Sequence, residues 1–303
     1  MDDAILLKEL TPVAERLLDR HLATAREWHP HEYVPWSRGR DFEPGEEWEP
    51  GEVAPSPAVR SALFLNLLTE DNLPYYFATI DRVFGADHPW HFWTRRWTAE
   101  EMRHATVIRD YVVVTRAIDP VALERARMHQ VTTGEVPEPP TVPEALVYVT
   151  LQELATRIAH RNTGKHLSDP RGYDVLARVA ADENLHHLFY RDMVTAAIDV
   201  APSEMVLAMA AQVRGFQMPG TGIPDFNRHA RLIAAAGIYD LEILHEQVVV
   251  PVITKQWRLE SIEGLSSEAE RARDQVLRHI ERLGKVAARQ ANRRAEKAGA
   301  AAS

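Results

Sequence analysis

Two short patterns, Glu101-x-x-His104 and Glu183-x-x-His186, recur in this chain of 303 residues. Residues three apart on an α-helix lie on one face, so each pair aims a carboxylate and an imidazole at one point. A single such pair arises often by chance. Here each is led by another glutamate at nearly the same distance: Glu70 lies 31 residues before Glu101, and Glu153 lies 30 before Glu183. From Glu70 to Glu153 is 83 residues, and from Glu101 to Glu183 is 82. Glu, then Glu-x-x-His, twice over, is the ligand pattern of di-iron carboxylate bundles of ferritin-like fold. The competing reading, four amphipathic helices with ion-paired surface residues, must explain the repeat by chance as well.

Those six residues have a definite chemistry. Four glutamates and two neutral histidines around two divalent cations make a neutral centre, which can be buried between helices. Oxygen and imidazole donors suit iron, with manganese as the alternative. Six residues for two ions leave positions open for water or dioxygen. Four inward glutamates with no ion would repel one another. A metal-bound histidine usually needs a partner on its other ring nitrogen. Asp182, beside Glu183, is the candidate partner of the opposite histidine, His104, and Glu100 holds the equivalent place in the first half.

The elements that must carry these residues are helices. Apolar spacing predicts helices over 4–27, 58–84, 93–118, 120–131, 143–163, 172–198, 202–215, 226–236 and 240–258. Glu70, Glu101, Glu153 and Glu183 then fall on four different helices. Two helical hairpins joined by a Pro-rich crossover, 134–144, give the connectivity of a ferritin-like four-helix bundle, all-α and elaborated by extra helices. Pro74 cannot donate to the carbonyl of Glu70, so a kink is expected just past that residue. Residues 28–57, rich in Pro, Gly and Trp, read as an irregular segment lying over the bundle. Residues 1–263 form one expected helical domain, and 264–303 a polar helix or tail that frays.

Composition narrows the function. The chain has no cysteine, which excludes disulfides, thiolate metal sites and cysteine nucleophiles. A net charge of −9 argues against general nucleic-acid binding. The N-terminus lacks the pattern of a signal peptide, and no apolar run is long enough for a membrane span. A cytoplasmic protein is therefore expected. The Gly220–Gly222 loop is wrongly flanked for a dinucleotide site. His29 and His31 read as polar loop residues, and Arg16, Arg20 and Arg26 as a solvated helix face or a basic patch for an acidic partner.

With these residues in view, the sequence resembles the soluble acyl-acyl-carrier-protein (acyl-ACP) desaturases. The segment WTAEEMRH around Glu101 is similar to their WTAEENRH. LTEDNLP, LQELATRIAHRNTGK, AADENLH, the Met218-Pro219 loop and GIYD follow in the same order, so the likeness spans roughly Trp28 to Trp257. The resemblance implies that Glu70, Glu101, His104, Glu153, Glu183 and His186 bind two irons. It implies that Thr156, three residues after Glu153, delivers protons or orients bound oxygen, and that Trp28, Asp182 and His104 carry electrons from a ferredoxin-type donor. Taken alone, Thr156 would equally well bond its own helix, and Trp28 would be a core aromatic. Met102 and Leu185 depart from the family pattern, off the ligand faces.

The expected activity is desaturation of a fatty acyl chain on acyl carrier protein, placing a cis double bond with dioxygen as co-substrate, in a homodimer. Removing hydrogens from unactivated methylenes is beyond any side chain. Trp97, Phe77, Leu146 and Val149, near the ligands in sequence, are candidates to line the acyl slot. An alternative is a di-iron oxygenase that hydroxylates or N-oxygenates another substrate. A third reading is a non-catalytic iron-binding protein.

Overall fold

In a computed structural model the chain is all-α, with no strand among the described residues. The structure describes residues 1–302 except 44, 52, 86, 219 and 221, and omits the side chains of 295 and 297–302. Pro219, half of the Met218-Pro219 likeness, therefore lies outside the described residues, as does the end of the tail.

Among the described residues twelve α-helices follow in order: α1 (Asp3–Thr24), α2 (Pro30–Tyr33), α3 (Pro57–Glu70), α4 (Leu73–Phe84), α5 (Trp90–Val114), α6 (Pro120–Thr133), α7 (Val142–Lys165), α8 (Pro170–Val200), α9 (Pro202–Gly215), α10 (Phe226–Ala235), α11 (Leu241–Ile243) and α12 (Ser267–Ala302). π-helical turns over Leu244–Gln256 continue α11. Their starts are written in the sequence: the side chains of Asp2, Ser56, Asp119, Thr141 and Asp169 accept from the first-turn amides of α1, α3, α6, α7 and α8. Proline occupies the first turn of most of these, where its missing N–H costs nothing.

Helices α3, α5, α7 and α8 pack as a bundle, with α3 against α5 and α7, and α8 against the same two. The α7–α8 pair is the most intimate. Gly172 lets the start of α8 pass Tyr111 of α5, since a Cβ there would strike the phenol ring. Tyr111 in turn donates to Asp169 at 3.0 Å, tying α5 to the α8 cap. Helix α1 crosses α8, α7 and α5, α9 covers α7 and α8, and α10 lies on α3.

Two expectations change. The predicted helix 58–84 is two helices, not one kinked helix. Beyond the loss of the bond to the Glu70 carbonyl at Pro74, α6 pins the break open. Arg127 grips the carboxylate of Asp71 with two bonds of 2.7 and 2.9 Å, and Gln130 donates to Asn72 at 2.6 Å. The tail also has more structure than its composition suggests: α12 buries Ala269, Ala272, Val276, Ile280 and Ala287 and packs on α9. Its apolar residues, though few, fall on one stripe.

Candidate metal centre

The four bundle helices bring all six predicted residues together in the interior. Glu70 ends α3, Glu101 and His104 project from α5, Glu153 from α7, and Glu183 and His186 from α8. His104, Glu153 and His186 are fully buried and Glu183 is 1 % exposed. Two sets of ligand atoms close enough to hold one ion each result: Glu70, Glu101, His104 and Glu183, and Glu101, Glu153, Glu183 and His186.

Glu101 and Glu183 belong to both sets. Glu101 turns Oε2 toward His104 Nδ1 (3.3 Å) and Oε1 toward His186 Nδ1 (2.8 Å). Glu183 does the same, with Oε1 3.6 Å from His104 Nδ1 and Oε2 3.7 Å from His186 Nδ1. Of the two histidines in these sets, Glu70 approaches only His104 (3.8 Å) and Glu153 only His186 (3.5 Å). Two carboxylates thus span the site and two flank it.

The residues fit a pair of cations by their unmet bonding. His104 Nδ1, His186 Nδ1, Glu101 Oε1, Glu153 Oε2 and Glu183 Oε2 are buried and make no well-directed hydrogen bond among the described residues, although His186 Nδ1 and Glu101 Oε1 lie 2.8 Å apart. A native interior rarely leaves so many polar atoms unmet in one place. The electrostatics agree. Burial holds Glu70 and Glu183 well above the usual carboxylate range, and neighbouring Glu101 and Glu153 add to it. Burial opposes ionisation of Glu101 too, but the fields of His104 and His186 bring it well below that range. His104 and His186 are pushed up, because Glu100, Glu101 and the other carboxylates outweigh the burial that opposes their charge. Protons thus hold the places that cations would take.

Around this centre, carboxylates address the outer nitrogens of both histidines. Asp182 Oδ2 lies 3.5 Å from His104 Nε2 and accepts from the indole Nε1 of Trp28 at 2.7 Å. The Trp28 ring lies nearly parallel to that of His104, 6.5 Å away, and Arg103 and Arg178 flank Asp182. Glu100, which holds the equivalent place in the first half of the repeat, sits 2.9 Å from His186 Nε2. Trp28 thus bonds Asp182, which lies 3.5 Å from His104 Nε2 without a well-directed hydrogen bond to it.

Other expectations meet a different geometry. The Thr156 hydroxyl is buried but donates to the Gln152 carbonyl one turn back, at 2.7 Å, and accepts from the Gln152 amide at 2.9 Å. Trp97 is no mere wall: its Nε1 donates to Glu153 Oε1 at 3.0 Å. Leu146 and Val149 are buried. Phe77 is half-buried, with the Arg95 guanidinium over its ring. Its neighbour Tyr76 buries a hydroxyl with no described partner, as does Tyr148. Burial, Tyr148 and the carboxylates Glu70, Glu101 and Glu153 all resist ionisation of Tyr76. Of the three early arginines, Arg20 is engaged by Asp192 at 2.6 Å, while Arg16 and Arg26 are exposed.

Two residues escaped the sequence reading. His160 Nε2 lies 2.8 Å from Glu70 Oε1, and burial keeps its imidazole neutral, pulled down to about 3. It stands seven residues after Glu153, two turns along the same face, a spacing that could have marked it. His21 bonds Glu100 at 2.9 Å. It continues the buried stripe Leu6, Leu10, Ala14, Leu17 and Leu18 of α1, where a histidine reads as core. A cavity of about 110 Å³ is lined by Thr69 and Ala159, which precede Glu70 and His160 in sequence, and by none of the six ligand residues.

Comparison with known proteins points the same way. Residues 2–303 match the family model described as "Fatty acid desaturase". The chain is 42% identical over 286 residues to a protein of Mycobacterium tuberculosis named putative acyl-[acyl-carrier-protein] desaturase DesA1, covering 91% of this chain and 84% of that one. It is 30% identical to stearoyl-[acyl-carrier-protein] 9-desaturase 1, chloroplastic, of Oryza sativa subsp. indica, over 88% of this chain and 74% of the rice protein. It also resembles the crystal structure of putative acyl-ACP desaturase DesA2 from Mycobacterium tuberculosis H37Rv, with a TM-score of 0.67 and 28% identity over 85% of this chain and 99% of the other.

Proposed function

The chain belongs to the fatty acid desaturase family, and from that premise we propose that it is an acyl-[acyl-carrier-protein] desaturase, an oxidoreductase that sets a cis double bond in a carrier-bound fatty acyl chain. The observation that carries this reading is the pair of buried ligand sets sharing Glu101 and Glu183. Glu70 and His104 would complete one metal site, and Glu153 and His186 the other. The oxidising power that no side chain has would come from two irons and dioxygen. Two hydrogens leave the acyl chain, a donor of ferredoxin type supplies two electrons, two protons enter, and dioxygen ends as water.

The protein's own groups prepare the site for this. Trp97 orients Glu153 through its indole N–H. His160, held neutral, would donate to Glu70 once bound cations ionise that carboxylate. Asp182 and Glu100 keep protons on the outer nitrogens of His104 and His186, which directs both Nδ1 lone pairs inward. We assign Thr156 to proton delivery: its hydroxyl, held by Gln152, can turn from the helix carbonyl toward the site. Tyr76, Trp97, Leu146, Tyr148 and Val149 are our candidates for the walls of the acyl slot. The proximity of Trp28, Asp182 and His104 supports entry of electrons on the side of Trp28, and we expect a homodimer.

No helix among the described residues is long and apolar enough to cross a membrane, which accords with a substrate brought by a carrier protein. The desaturase names of the relatives support desaturation over hydroxylation. The test is mass spectrometry of products after incubation with iron, ferredoxin, reductant and acyl-ACPs of several lengths. Products lacking two hydrogens support the proposal. Hydroxylated products, or turnover of dioxygen with every acyl chain intact, would overturn it.

A further inference from the structure

The N-terminal helix reaches the centre at one residue, His21. Its Nε2 is 2.9 Å from Glu100 Oε2, and the same oxygen is 2.9 Å from Nε2 of His186. The other oxygen of Glu100 is held by Arg96, with Nε at 2.7 Å. The carboxylate is thus gripped on both sides and cannot turn away from His186. The His21 ring is 5.9 Å from that of His186 and stands edge-on to Trp93 at 5.0 Å. Trp93 is itself stacked on Phe189 at 3.6 Å. His21 and Glu100 are 4 % and 2 % exposed, so neither is a surface pair.

We propose that His21 is a positioning residue for the metal centre, acting through Glu100 to fix the orientation and tautomer of His186. The inference rests on the metal-centre reading above. A buried carboxylate oxygen with two N–H donors is satisfied; with one it retains a costly unmet lone pair. Without His21, Glu100 would shift toward its remaining donors or admit water, and the His186 ring would move with it.

The arrangement at the other histidine supports this. Asp182 Oδ2 lies 3.5 Å from His104 Nε2 and accepts an N–H from Trp28. Each metal histidine therefore has an outer carboxylate, and each carboxylate a second donor. The carboxylates come from the internal repeat. The second donors do not: His21 and Trp28 both come from the end of α1 and the strand of coil after it, seven residues apart in sequence. One N-terminal segment clamps both halves of the centre.

The test uses the full metal-free chain titrated with cobalt(II), read by its visible absorption. His21→Met fills the space without a donor. His21→Asn has a donor too short to reach. His21→Gln keeps an N–H near the original Nε2. Leu17→Ala loosens the same buried face of α1 without touching Glu100. We expect His21→Met and His21→Asn to weaken one of two cobalt sites by about tenfold, the lower end for loss of an outer partner. His21→Gln should restore the affinity, and Leu17→Ala should lower the melting temperature alone. Should His21→Met not fold, the contrast of Asn with Gln still decides. Unchanged affinity in the donor-less variants would overturn the proposal, and so would equal loss in Leu17→Ala. A wild-type chain that binds no metal at all would overturn the metal reading itself, and this inference with it.

Discussion

The indole of Trp28 donates to the carboxylate of Asp182 at 2.7 Å, across 154 residues of sequence. This one bond joins the coil after α1 to the helix that carries Glu183 and His186, and it orders a carboxylate that faces His104. We expect Asp182→Asn to weaken metal binding at the His104 site by about ten- to a hundredfold, because the amide no longer enforces the histidine tautomer. Trp28→Phe should retain iron and lower the rate of reduction by a ferredoxin. Iron titration and stopped-flow absorbance measure the two effects; an Asn variant with wild-type affinity would break the assignment of Asp182.

The shared carboxylates predict an asymmetry between ligand substitutions. Glu183 belongs to both ligand sets and His104 to one. Glu183→Ala should therefore lose both irons, whereas His104→Ala should keep part of its complement. Both should lose activity. Metal analysis of the purified variants checks this, and full metal in Glu183→Ala would remove that residue from the centre.

Metal uptake should expel protons. Burial raises Glu70 and Glu183, and neighbouring carboxylates raise His104 and His186, so near neutrality the metal-free centre is protonated at sites that must be bare to bind. Up to about four protons per chain should be released on loading, and affinity should rise with pH. The stability of the metal-free chain has the opposite slope. Above about pH 7, where the downward-shifted Glu101 and His160 are largely bare in both states, the four upward shifts leave more protons on the folded chain than on the unfolded one, and stability falls as pH rises. Potentiometric titration during iron addition, and melting curves of chelator-treated protein from about pH 7 to 9, test both signs. Uptake without proton release would refute this account of the charge.

Thr156 bonds Gln152 in both directions, so its replacement has a structural cost to be separated from a catalytic one. Thr156→Val should destabilise the fold by about 1 kcal/mol, since it leaves the Gln152 amide without its acceptor. Iron content should be unchanged, while the yield of desaturated product per oxygen consumed falls. An unchanged yield alongside the lower stability would make the hydroxyl purely structural.

Much of the centre was legible because helical geometry is local. Glu101 with His104, and Glu183 with His186, must share faces wherever their helices go, and the doubled spacing of Glu70 and Glu153 marks all four helices at once. The start of α6 at Pro120 was likewise marked, whereas α8 begins at Pro170, two residues before the expected 172. None of this depends on how the helices meet. Other features are settled only by the meeting. Glu101 and Glu183 span both sites because α5 and α8 pack in one register. The break after Glu70 needs Arg127 and Gln130 from α6, 56 and 58 residues away. His21 reads as core in its own helix and becomes a partner of Glu100 only where α1 crosses α5. Sequence periodicity states which side chains share a face. It is silent on what opposes that face, because hydrogen bonds between helices depend on register and crossing geometry, which emerge when the whole core packs.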